Sequence, residues 1–161
     1  MARLALVIGL LLASGAAAQA PADPLAAVAD ADPAELARVA ERIGDREVLD
    51  RLGAGRPAVV RLAAIRTTPW LRAPEAALPS LARIAGGRDS ILAPAAALYA
   101  MRIATSLDTD AVAAREVLPS DLDGARTDLE ALAADSTARP DLRRAAALAA
   151  DALRALFGPG A

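Results

Sequence analysis

Proline and glycine divide this chain into short alanine- and leucine-rich segments, and residues 56–104 show the pattern most clearly. Within this stretch, a Thr-Thr-Pro sequence at 67–69 and a Gly-Gly pair at 86–87 separate three segments whose apolar residues recur at helical spacing. A residue before proline avoids the α conformation, and glycine commonly ends a helix. The pattern therefore predicts three helices joined by tight turns, with similar units on either side.

Alanine and leucine must fill the interior of this protein, because 55% of its residues are hydrophobic but only 2% are aromatic. Alanine has the highest helix propensity, since it loses no side-chain entropy in a helix. Strand-favouring aromatic residues and long β-branched runs are scarce. The fold class is therefore predicted to be all-α. Alanine-faced helices approach near the lower end of the interaxial range of about 8–10 Å, which favours close stacking.

The first 20 residues contain the three parts of a secretory signal peptide. Arg3 gives a positive start, residues 4–12 form an apolar run, and Ala-Gln-Ala at 18–20 is a small-x-small cleavage site. The apolar run is much shorter than the about 20 residues that span a bilayer. We therefore expect cleavage after Ala20, export to the periplasm or beyond, and no stable membrane span afterwards. An uncleaved anchor or a buried helix is the alternative.

The mature chain is predicted to contain one domain. Residues 21–31 are interpreted as a linker with one or two helical turns, residues 32–157 as the helical domain, and residues 158–161 as a C-terminal tail. The domain begins at a strong helix start, where Asp32 can cap the helix and Pro33 fits its first position.

Two expectations concern the C-terminal part of the domain. An apolar helix at residues 108–118 is predicted to end at Pro119, and the next helix to start at Ser120. The last helix, at residues 140–157, has two apolar stripes separated by a narrow polar strip. A helix with two apolar faces is expected to pack against two neighbours.

A short sequence motif recurs along the chain. It is LARVA at 36–40, LARIA at 81–85 and, more loosely, LEALA at 129–133, at separations of 45 and 48 residues. A second similarity links VRLAA at 60–64 with LRRAA at 142–146. Helical units of about 40–47 residues are typical of HEAT and armadillo arrays. At these residues the chain resembles HEAT-repeat proteins.

The resemblance implies a short right-handed α-solenoid of antiparallel helix pairs. An irregular helical bundle is the alternative, because the spacing between the units is uneven. HEAT-like arrays serve mainly as scaffolds that hold a partner along a concave surface, and stacking extends such a surface without closing a cleft. The resemblance therefore implies an exported, non-catalytic protein-binding module. An envelope-assembly or chaperone-like factor is the alternative that differs only in its partner.

Composition excludes several functional classes. The chain contains no cysteine and no histidine, which removes thiol nucleophiles, imidazole bases and the usual transition-metal ligand sets, so no metal or cofactor is expected. Without the leader, 17 arginines face 20 acidic residues, and this interspersed charge argues against nucleic-acid binding. Most acidic residues lie at helix starts or beside arginine, where capping and solvation explain them. An enzyme, or an enzyme subunit, that uses carboxylates alone is the remaining catalytic alternative.

Two motifs for small ligands fail on inspection. The Asp-Leu-Asp-Gly sequence at 121–124 is not a calcium loop, because its acidic positions are misplaced and its glycine comes too early. The Gly-Ala-Gly sequence at 53–55 lacks the preceding strand and the third glycine of a dinucleotide-binding loop. The sequence therefore indicates no small-molecule ligand.

The weak candidates for a partner contact are Trp70 and Arg72, which lie in a turn beside two prolines. Tryptophan and arginine are over-represented in binding hot spots. The alternative interpretation is that Trp70 fills a gap between two helices as a large core residue, and we favour it, since an alanine-rich protein leaves gaps to fill.

Overall fold

The computed structural model describes residues 23–108, 110, 112 and 119–157. Within these residues the protein contains helices and turns and no strand, which confirms the all-α prediction. The predicted leader at 1–20, the tail at 158–161 and most of the predicted helix at 108–118 lie outside the described residues. The α-helices are α1 (Pro33–Ile43), α2 (Asp45–Asp50), α3 (Ala58–Thr67), α4 (Leu78–Ala85), α5 (Leu92–Ala104), α6 (Pro119–Ala134) and α7 (Pro140–Phe157).

The helices pack as neighbouring pairs. Helix α4 packs against α5, and α6 packs against α7. These two pairs contact each other through both members, since α4 lies against α6 and α5 lies against α7. Helix α3 also packs against α5, and α1 packs against α3 and α2.

Small side chains make this close packing possible. Helix α5 and helix α7 contact each other and both bury alanines, which keep the helix axes close because each side chain is a single methyl group. Fully buried leucines fill the larger spaces of the core. The buried alanines of the two helices are Ala93, Ala96, Ala97, Ala100, Ala104, Ala146, Ala149 and Ala150.

Helix α1 begins and ends where the sequence predicts. The Asp32 carboxylate accepts a hydrogen bond from the Glu35 N–H at 2.9 Å, and Pro33 is the first helical residue. Gly44 ends the helix with a φ of 81°, a backbone conformation that favours glycine. These local signals therefore fix the corner between α1 and α2.

Helix α6 starts one residue earlier than predicted. Pro119 is the first residue of α6, so Ser120 lies inside its first turn. The end of the predicted preceding helix lies outside the described residues. Proline suits a first helical position because its fixed φ is helical and its missing N–H would have no partner there. The same helix contains residues 121–124, and their helical backbone excludes the calcium-loop geometry there.

The two apolar stripes of α7 do not behave alike. Helix α7 does pack against two neighbours, α5 and α6, as predicted. The first stripe is the more deeply buried one, through Leu142, Ala146, Ala149 and Leu153. In the second stripe, Ala145 and Ala152 are partly buried against the core, whereas Leu148 keeps 49% of its surface exposed. The prediction that α7 packs against two neighbours is therefore confirmed, although its second stripe is less buried than the first.

The segment before α1 packs onto the domain. It contains a 3-10 turn at Ala26–Val28, and Leu25 and Val28 are buried in the core. Helix α3 contacts this turn. Among the described helices, none combines the length and apolarity needed to cross a membrane.

Candidate functional site

Two buried threonines hold the turn that contains Trp70. Helix α3 passes directly into a 3-10 turn at Thr68–Trp70, and both threonines at this junction are fully buried. The Thr67 hydroxyl donates to the Ala63 carbonyl at 2.7 Å, and the Thr68 hydroxyl donates to the Ile65 carbonyl at 2.7 Å. Because both buried hydroxyls have backbone partners, the turn carries no desolvation penalty from them.

A carboxylate ties the backbone after Trp70 to the end of α1. Asp45, the first residue of α2, accepts hydrogen bonds from the N–H of Arg72 at 3.2 Å and from the N–H of Ala73 at 3.0 Å. The conformation of Gly44 places this carboxylate at the α1–α2 corner. The loop that contains both sequence candidates is thus attached to α1.

A groove opens between α1 and this loop. Its volume is about 660 Å³, and both sequence candidates line it. Two alanines of α1 contribute to its lining, and Glu41, Asp45 and Arg72 give it charges of both signs. The full lining comprises Ala37, Ala40, Glu41, Gly44, Asp45, Trp70 and Arg72.

Trp70 has contacts on two sides. It is partly buried and packs against the hydrophobic core, as the gap-filling interpretation expected. The guanidinium of Arg102 from α5 lies 5.7 Å from the centre of its ring, within the distance of a cation–π interaction. The part of Trp70 that the core leaves uncovered lines the groove. Trp70 can therefore pack against the core and contact a partner in the groove at the same time.

The chemistry of the groove suits binding. It offers an aromatic surface, an alanine wall and charges of both signs within one opening. The Asp45 carboxylate is engaged by two backbone N–H groups, and Glu41 is exposed on α1. Within the part of the chain that the structure describes, no three potential metal ligands converge. The arrangement can hold an extended segment with an apolar side chain against Trp70.

Glu75 departs from the sequence interpretation of the acidic residues. It lies in a 3-10 turn at Pro74–Ala77, and its side chain is fully buried. Solvation, which the sequence predicts for most acidic residues, does not describe this position. The local sequence gives no signal of burial, because an acidic residue directly after proline is typical of an exposed first helical turn.

Comparison with protein-family models, with curated proteins and with solved structures finds no match for this chain. Its function is therefore inferred from the geometry of its own residues.

Proposed function

We propose that this protein is an exported helical-repeat protein without catalytic activity, which binds a segment of a partner protein in the groove at Trp70. One observation carries the proposal. The single Trp of the chain lies in a turn held by Thr67, Thr68 and Asp45, yet part of it lines an open groove of about 660 Å³. A large aromatic side chain held in place loses little conformational entropy when it binds a partner.

The positions of the repeated motifs support a HEAT-like, right-handed solenoid. The three copies of the first motif, at 36–40, 81–85 and 129–133, fall in α1, α4 and α6. The two copies of the second motif, at 60–64 and 142–146, fall in α3 and α7. Helices α3 and α7 both pack against α5, and α4 packs against α6. The first motif thus marks one helix in each of three units, and the second motif marks its partner helix in the first and last units.

A protein segment fits this groove better than a compact metabolite. The groove is open along α1, and its walls combine an aromatic ring with a carboxylate and a guanidinium. A peptide can place an apolar side chain on Trp70 while its backbone or charged side chains meet Glu41 and Arg72. Trp and Arg are the residue types that most often contribute large binding energies at protein interfaces.

Site-specific photo-cross-linking in the native cell envelope tests this function. A photoreactive residue replaces Ala37, which lines the groove, and in a matched variant replaces Ala155, which is exposed on α7. We expect one protein to cross-link at position 37 and not at position 155. Trp70→Ala is expected to abolish that product, while Trp70→Phe retains part of it because an aromatic ring remains.

Two results would contradict the proposed function. One is the same set of products from both positions, which would indicate non-specific collision. The other is a product at position 37 that Trp70→Ala leaves unchanged while the variant remains folded by circular dichroism.

A further inference from the structure

A second cavity lies where α3, α4 and the start of α5 meet the loop after α2. Its volume is about 320 Å³, and it shares no lining residue with the groove at Trp70. Three arginines line it, from α3, α4 and the α4–α5 loop. The lining comprises Leu52, Ala54, Arg61, Arg83, Ile84, Gly87, Arg88, Asp89 and Leu92.

The three arginines of this cavity have few side-chain partners among the described residues. The Arg61 Nε donates to the Leu52 carbonyl at 3.3 Å, and Arg83 donates to the Ser80 hydroxyl at 3.0 Å. Neither they nor Arg88 form an ion pair with another residue in the described ranges, although other arginines of the chain do, as between Arg126 and Glu130. A guanidinium has five N–H donors, so most donors of these side chains remain available to a ligand.

The one carboxylate in the lining is committed to the backbone. One oxygen of Asp89 accepts hydrogen bonds from the N–H of Leu92 at 2.8 Å and from the N–H of Ile91 at 2.9 Å. These two bonds lower the pKa of Asp89, with a smaller contribution from the positive charge of Arg61. Asp89 therefore stays ionised and caps the start of α5. Three arginines and this aspartate leave the lining with a net charge of +2.

The rest of the cavity is apolar. Leu52, Ile84 and Leu92 are buried, and they form walls beside the guanidinium groups. The Gly-Ala-Gly loop at 53–55 contributes Ala54 to the lining. Small-molecule sites typically combine apolar walls with a few placed polar groups, and about 300 Å³ is the lower end of their volumes. The cavity thus has room for a small ligand that carries negative charge at one end.

We propose that this cavity binds a small organic anion, in which a carboxylate or phosphate group meets Arg83 and Arg88 and a short alkyl group lies against Leu52, Ile84 and Leu92. Arginine recognises both kinds of oxyanion through paired N–H donors. No local sequence pattern indicates this ligand, because the three arginines belong to three different segments. The site is independent of the proposed partner-binding groove.

Thermal unfolding and calorimetric titration of the full chain test the site with defined probes. These are butyl phosphate, butyrate, inorganic phosphate and sodium chloride, all at one ionic strength. We expect saturable binding of butyl phosphate or butyrate and weaker binding of inorganic phosphate, which lacks the alkyl group. The double variant Arg83→Gln/Arg88→Gln is expected to raise the dissociation constant about tenfold or more, since each arginine supplies charged hydrogen bonds.

A matched control separates this site from general charge. Arg144→Gln removes an exposed arginine on α7 that does not line the cavity, and it is expected to bind the probes as the unaltered chain does. Both substituted cavity arginines are exposed, so the double variant is expected to fold. Equal binding by the double variant would overturn the site. An effect no larger than that of sodium chloride would overturn it too, and inorganic phosphate binding as tightly as butyl phosphate would overturn the role of the apolar walls.

Discussion

The two ends of this protein are stabilised in different ways. In the C-terminal region, residues 78–157, helices α6 and α7 have 16 and 18 residues and bury continuous rows of alanine and leucine. In the N-terminal region, residues 23–77, the helices have 6 to 11 residues and are interrupted by 3-10 turns. Short helices expose proportionally more backbone ends, because each end leaves about four N–H or C=O groups without intrahelical partners.

Arginine and aspartate side chains meet this need in the N-terminal region. Arg66 donates to the carbonyls of Ala29 and Ala31, and Arg61 donates to the Leu52 carbonyl. The Asp23 carboxylate accepts the Leu25 N–H and pairs with Arg51 at 2.9 Å. The charged side chains of the C-terminal region mainly contact one another at the surface, as in the group formed by Arg126, Glu130 and Arg154.

Concave spaces occur in both regions, at the turns that join the helices. In the C-terminal region, the turns after α4 and α6 line a space of about 570 Å³. The N-terminal region differs in that its space contains the Trp70 side chain. The groove at Trp70 lies entirely in the N-terminal region, and the arginine-lined cavity lies at the boundary between the two regions.

The largest effect is expected from removing core volume in the C-terminal region. Leu153→Ala deletes a fully buried side chain of α7 and is expected to lower the free energy of unfolding by about 3 kcal/mol. Leu148→Ala on the same helix is the control, since Leu148 is 49% exposed, and should change stability by less than about 0.5 kcal/mol. Urea denaturation measures both. Similar losses for the two variants would show that α7 does not bury the face described here.

A smaller effect is expected from removing one backbone-binding arginine in the N-terminal region. Arg66→Gln removes the charged donors to the carbonyls of Ala29 and Ala31, and should lower the free energy of unfolding by about 2 kcal/mol. Faster amide exchange in residues 25–31 should accompany the loss, because this segment packs on α3. Arg144→Gln serves as the surface control. Unchanged exchange in residues 25–31 would contradict the anchoring role of Arg66.

Releasing the loop after Trp70 should lower the free energy of unfolding by a smaller amount. Asp45→Ala removes the acceptor for the N–H groups of Arg72 and Ala73, with an expected loss of about 1 kcal/mol. The fluorescence of the single Trp should shift to longer wavelength, as the loop moves from α1 and the ring gains solvent. Asp45→Asn keeps an acceptor oxygen and should shift the emission less. An Asp45→Ala spectrum identical to that of the unaltered chain would rule out this attachment.

The smallest effect in this comparison concerns pH. Hydrogen bonds from the N–H groups of Leu92 and Ile91 lower the pKa of Asp89 in the folded chain. Its stabilising contribution is therefore complete above the ordinary aspartate pKa of about 3.9, and is lost as the pH falls through the lower folded value. Asp89→Ala should lower the Tm at pH 7, and the difference should narrow below about pH 4. A difference that stays constant into acid would contradict the cap.

Much of the fold could be predicted from local sequence signals. Asp32 marks a helix start through its side chain, and Gly44 and Pro140 mark helix ends through their backbone conformations, so α1 and α7 have the predicted limits. Pro119 shows the limit of predictions from such signals. A proline can follow the end of one helix or begin the next, and in the structure Pro119 begins α6.

The features that make the binding sites could not be predicted in the same way. The burial of Glu75 depends on how the helices pack against one another. So does the position of Arg61 and Arg83 in the lining of one cavity. Alanine-rich helix faces resemble one another, so the sequence pattern does not predict which face of a helix packs against which neighbour. Trp70 and Arg72 could be selected by residue type, but the α1 wall opposite them could not.

Amide hydrogen exchange along the full chain tests most directly whether the two regions are stabilised differently. We predict that the buried amides of α5 and α7 exchange at least about tenfold more slowly than those of α1 and α2, and that Arg66→Gln accelerates exchange only in the N-terminal region. Equal protection in both regions, or acceleration by Arg66→Gln across all helices, would contradict this account.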